Sequence, residues 1–109
     1  MATSYKVLGQ AAPGATTDTT LYTCPASTQT VISTISVCNR SATDATFRIA
    51  VRPDGASISN EHYLYYDVAL SGNTSAAFTL GITLDASDVL TVRSSTADLS
   101  FNAFGSEIS

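Results

Sequence analysis

The sequence predicts an all-β fold: one domain over residues 1–109, built as a two-sheet antiparallel β-sandwich of about eight strands. Three observations predict it. Apolar residues recur with period two rather than 3.6, the pattern of strands with one buried face. Turn chemistry punctuates the chain at short intervals: Ala12-Pro13-Gly14, Cys24-Pro25-Ala26-Ser27, Asn39-Arg40-Ser41, Arg52-Pro53-Asp54-Gly55, Ser71-Gly72-Asn73, Asp85-Ala86-Ser87-Asp88 and Ser94-Ser95-Thr96. Charged residues are only 13% of the chain, about half the usual share of roughly 25%. Hydroxyls take their place, with Thr favouring strands and Ser favouring turns over helix interiors.

The elements follow in order between those turns. Strands are expected at 4–9 and 19–23, on either side of the Pro13-Gly14 turn. A third, 29–38, places Val31, Ile35 and Val37 on one face with Ser33. The fourth, 45–52, alternates cleanly, with Phe47, Ile49 and Val51 on the core face and Arg48 and Arg52 on the other. Pro53 presets φ for a turn and Gly55 tolerates positive φ, so 53–61 opens into a loop. The fifth strand, 62–70, puts Leu64, Tyr66, Val68 and Leu70 inward and Tyr63, Tyr65 and Asp67 outward. A sixth is expected at 75–80, and Phe78, Leu80, Ile82 and Leu84 line up across Gly81, the mark of a bulge or bend. The last two, 88–94 and 98–107, follow the same logic.

Eight short strands bury their apolar faces best as two antiparallel sheets packed about 10 Å apart. Jelly-roll and immunoglobulin-like topologies both fit the count. The absence of Trp from the chain weighs against a true immunoglobulin domain, which carries one in its core.

Composition also excludes function classes. The net charge is −4, and the five basic residues, Lys6, Arg40, Arg48, Arg52 and Arg93, are scattered, so no phosphate-binding patch forms and nucleic acid is not an expected partner. The start, Met1 to Lys6, lacks the apolar core of a signal peptide, and no apolar run reaches the roughly 18 residues of a membrane span, so cytoplasmic synthesis is expected. Cys24 and Cys38 cannot complete a four-ligand zinc site with His62 alone. They are expected as buried thiols, with a late disulfide as the alternative.

His62, the single histidine, has no Gly-x-Ser-x-Gly elbow to serve and reads as a surface or interface residue; no catalytic role, cofactor or metal is expected. Asp85 and Asp88 flank a turn without the alternating ligand positions of a calcium loop. Asn39 and Asn73 head glycosylation sequons that read as turns without secretion. The cluster His62-Tyr63-Leu64-Tyr65-Tyr66 is the most interesting exposed candidate. Tyr63, Tyr65 and Asp67, with Arg48 and Arg52, form the candidate interface, either a contact surface or a cross-strand ladder within one sheet. The same tyrosines beside Asp67 would serve a sugar-binding module.

The segments 5–51 and 62–108 together resemble a family of small virion structural proteins of tailed bacteriophages, notably cyanophages. The most characteristic pieces are Leu21-Tyr22-Thr23 followed by Pro25-Ala26, Val37 to Arg40, Gly81-Ile82-Thr83-Leu84 and the ending Phe101 to Ile108. The resemblance implies a β-sandwich component of the particle without a cofactor, used as a capsid decoration (cement) protein or as a tail, baseplate or fibre module. Its expected partners are copies of itself, a trimer being favoured, and other virion proteins such as the major capsid protein; its expected location is the virion. In such a strand Cys24 replaces an apolar residue, which fits a buried thiol.

Overall fold

The computed structural model describes residues 2–109, and among these it has eight strands: β1 (Thr3–Ala11), β2 (Thr19–Thr23), β3 (Gln29–Asn39), β4 (Ala45–Arg52), β5 (Tyr63–Leu70), β6 (Ser75–Leu84), β7 (Val89–Ser94) and β8 (Leu99–Ile108). They form two four-stranded antiparallel sheets in the orders β1-β8-β3-β6 and β2-β7-β4-β5. First pairs with last and each following strand with its mirror position: β1 with β8, β2 with β7, β3 with β6, β4 with β5. A long hairpin of β1–β4 against β5–β8, folded over on itself, gives this order, and it is the jelly-roll solution of the two topologies that fitted the strand count.

The core lies between the sheets. Ile32, Ile35, Val37, Leu99, Phe101 and Ala103 from the first sheet meet Phe47, Ile49, Leu90 and Val92 from the second, all at most 1% exposed. Phe47 is the hub: its ring centroid lies 5.8 Å from Phe78, 6.3 Å from Phe101 and 6.4 Å from Tyr65. The alternation expected for β4 holds, with Phe47 and Ile49 buried and Arg48 turned out.

Elsewhere bulges change the phase, which strict alternation does not foresee. In β3 the register against β8 slips at Ser33, so Ile32 points inward with Ile35 and Val37, while Val31 lies on the outer face. In β5 the register slips between the partners of Phe47 and Ile49, where Asp67 has φ 51° in the left-handed region that Asp tolerates better than most residues. Tyr65 therefore turns inward beside Phe47 and Phe78, and Leu64 and Tyr66, expected in the core, are exposed. β6 runs on to Leu84 instead of stopping at residue 80, because Gly81 at φ 64° absorbs a bulge without ending the strand. Leu80, at that bulge on the sheet edge, is exposed rather than buried.

Three of these irregularities fall at one level of the β1-β8-β3-β6 sheet: Leu8 in β1, Ser33 in β3 and Leu80-Gly81 in β6, flanking Phe104 and Gly105 of β8. Aligned bulges bend the strands together, so the sheet is creased along that line.

Candidate functional site

The expected interface residues divide three ways. Arg48, Tyr63 and Asp67 come together on the outer face of β4 and β5, joined by Tyr66, which sequence alternation had placed in the core. Arg48 donates from Nε to Asp67 Oδ1 at 2.7 Å, its guanidinium sits 4.0 Å from the Tyr66 ring centroid and 5.8 Å from that of Tyr63, and the two rings meet edge to face at 4.8 Å. The hydrogen bond from Arg48 holds the Asp67 carboxyl below the usual carboxylate range, and the same bond raises Arg48. These groups satisfy one another, so the cluster is a cross-strand clamp over the β5 bulge. Tyr65 is inside. Arg52 is spent on its own loop, donating from Nε to Thr91 Oγ1 at 3.0 Å and from Nη1 to the carbonyls of Gly55 and Ala56 at 3.2 and 2.9 Å.

His62 corrects its surface reading, because it is buried at 9% exposure. It closes a 3-10 turn at Asn60–His62, where its Nδ1 accepts from the Ser59 backbone at 3.1 Å and its own N–H donates to the Ser59 carbonyl at 3.1 Å. That capping pulls the ring under the loop. Asp88 acts as a loop clasp, accepting from the backbone N–H of Asp85 at 2.9 Å and of Asp54 at 2.8 Å. Asn39 is 2% exposed and its amide is consumed by the carbonyls of Thr43 and Leu70. Cys24 is a buried thiol, as expected; Cys38 is also free, but half-buried rather than buried. Cys24 Sγ lies 3.2 Å from Thr30 Oγ1.

Between the sheets at one end runs a polar chain that alternation does not reveal. Lys6 Nζ lies 2.5 Å from Glu107 Oε1, Tyr22 donates its hydroxyl to Glu107 Oε2 at 2.5 Å, and the same hydroxyl lies 2.8 Å from Thr30 Oγ1. Lys6, then Tyr22, hold the Glu107 carboxyl below its ordinary value, while burial, then Glu107, push the Tyr22 phenol above its own. The signs follow. A lowered carboxyl stabilises the fold above its ordinary pKa of 4.5 and loses that contribution as pH falls through the folded value; a raised phenol contributes below its ordinary 10.0 and loses it as pH rises through the folded value. We expect the melting temperature to fall as acid is added below about pH 4.5, and Glu107→Gln to flatten that acid limb in thermal melts recorded across pH. An acid limb equally steep in the variant would place the titration elsewhere.

The surface that sequence reasoning missed is the outer face of the creased sheet. Its four strands carry two charged residues, Lys6 and Glu107, and these pair with each other. Outward from it point Tyr5, Val7, Gln10, Val31, Thr34, Ser36, Cys38, Ala77, Thr79, Asn102, Phe104 and Ser106, as the pairing registers dictate. Lys6 is 48% exposed at the β1 edge, held to Glu107, and no charged residue but these two lies on the four strands. Along the crease the face is apolar and open: Tyr5 is 84%, Val7 50% and Phe104 37% exposed. An open groove of about 490 Å³ runs there, lined by Tyr5, Lys6, Val31, Ser33, Phe104, Gly105 and Ser106. The other sheet differs, its strands bearing Arg48, Arg52, Asp67 and Arg93.

No family model matches this sequence, and no curated protein matches it with significance.

Proposed function

We propose that this chain is a non-enzymatic structural component of a tailed-bacteriophage virion, an accessory capsid decoration protein that binds and reinforces neighbouring subunits. The observation that carries the reading is the charge-poor outer face of the β1-β8-β3-β6 sheet, with Tyr5, Val7 and Phe104 open along its crease. Contiguous exposed apolar surface on a small domain marks a contact region, and interface cores are depleted in charge. The jelly-roll order agrees, since this architecture recurs in viral capsid domains; lectins and cupins share it, so the fold argues by analogy alone. The resemblance of segments 5–51 and 62–108 to small phage structural proteins points the same way. Partners are further copies of this chain and other virion proteins, the major capsid protein first among them.

Quantitative mass spectrometry of purified particles tests this. Hundreds of copies relative to the major capsid protein are expected of a decoration protein. A few dozen or fewer would move the chain to the tail, baseplate or fibre, and its absence from particles would end the virion reading.

A further inference from the structure

We propose that this charge-poor sheet face is the seam of a two-fold dimer, in which two copies of this chain stack their β1-β8-β3-β6 sheets face to face across the crease. The inference rests on the reading of that face as a contact surface and names its occupant.

Charge makes the first argument. In an isologous interface each surface meets itself, so any charge on it near the axis confronts its own copy. The β2-β7-β4-β5 face carries Arg52 and the Arg48–Asp67 and Arg93–Asp18 pairs, more charge to desolvate against its own copy. The creased face carries a single ion pair, Lys6–Glu107, at its β1 edge, and no arginine. The other charges of the chain lie on the loops, as with Asp44, Asp54, Glu61, Asp85 and Asp98, and on the opposite sheet. Face-to-face stacking leaves them all in water.

Area makes the second. The sandwich is flat, with extents of 45 × 27 × 19 Å. Four strands about 4.8 Å apart and nine to eleven residues long, rising about 3.3 Å per residue, present a face of roughly 500 Å². Two such faces bury on the order of 1,000 Å², the lower bound for a biological interface and the size of a weak, reversible one. Sheets stack in this way inside sandwiches, about 10 Å apart, and side chains of the size of Val7, Val31 and Phe104 fill such a gap. Tyr5, the most exposed large apolar side chain among those described, would be covered by the partner.

Sedimentation equilibrium of the isolated protein tests the pairing, alongside Phe104→Glu, Val7→Glu and, as a control on the opposite face, Ala69→Glu. Circular dichroism melts establish that each variant is folded; Val7 lies on an edge strand and half in solvent, so that variant keeps the test open if Phe104→Glu does not fold. The expected result is a dimer for the wild type and for Ala69→Glu. Each folded seam variant should dimerise at least about a hundredfold more weakly, because two carboxylates would be buried against each other. A wild type that stays monomeric at high micromolar concentration, a trimer, or a dimer untouched by Val7→Glu would each overturn the proposal. Dimers of a protein absent from particles would uphold the pairing and remove the virion reading. Abundant copies on particles with a monomer in solution would do the reverse.

Discussion

Phe47→Ala is expected to remove about 3–5 kcal/mol of stability, a large share of the roughly 5–15 kcal/mol that holds a domain of this kind together. Phe47 is 1% exposed and stands on β4, yet its ring neighbours lie on three other strands: Tyr65 on β5, Phe78 on β6 and Phe101 on β8. Two of those strands belong to the opposite sheet. Truncation therefore loses transfer energy and leaves a cavity that neither sheet can close alone, because each is held by its own hydrogen-bonded ladder. Urea denaturation should show a lower midpoint with an unchanged slope, since the surface exposed on unfolding is nearly the same. Phe47→Leu, which keeps most of the volume, should cost under about 1.5–2 kcal/mol. Equal losses for the two variants would mean that ring geometry, not volume, matters at this site.

The same cluster marks where the sequence is legible and where it is not. Strand β4 reads directly because it has no internal slip that inverts its faces: Phe47 and Ile49 fall inside and Arg48 outside, as the alternation says. Strand β5 has the same kind of pattern but misleads, because one extra residue at the bulge moves Tyr65 in and Tyr66 out. A signal was present in Asp67, a poor strand former that accepts positive φ, in the middle of an otherwise apolar run. No comparable signal marks the slips at Leu8 and Ser33, which are decided by the neighbouring strands of the sheet. The loop roles of Arg52 and His62 were hidden for a similar reason: their partners, Thr91, Gly55, Ala56 and Ser59, are fixed by how 53–62 folds back.

The charge-poor face is the instructive case. That the strands at 29–38 and 75–80 contain no charge is visible in the sequence, and so are the few charges of the first and last strands, Lys6 in one and Asp98 and Glu107 in the other. What the sequence does not display is that these four are neighbours in one sheet. Only the long-range pairing of first with last turns four unremarkable strands into one neutral surface.

Gly9→Ala is expected to destabilise the fold by about 2–3 kcal/mol, at the upper end of what overpacking costs, although it adds one methyl group to an ordinary strand position. A Cβ built on Gly9 would lie 2.0 Å from the Leu21 carbonyl oxygen and 3.0 Å from its carbon. Both obstacles are backbone, and they belong to β2 of the other sheet, where the register slips between Thr20 and Tyr22 and brings the Leu21 peptide toward β1. No rotamer can relieve that contact. Relief requires β1 and β2 to separate, and β1 cannot move alone, since it is zipped along β8, while Tyr22, next to Leu21, anchors β2 through Glu107 and Thr30. The melting temperature should drop by roughly 10–15 °C for a chain of this size. Gly14→Ala is the matched control: its Cβ would meet only Thr17 Oγ1, at an ordinary 3.8 Å, so the loss of unfolded-chain entropy should leave stability unchanged or slightly raised. If the two variants melt together, the close approach of β1 to β2 is not what holds that edge of the sandwich shut.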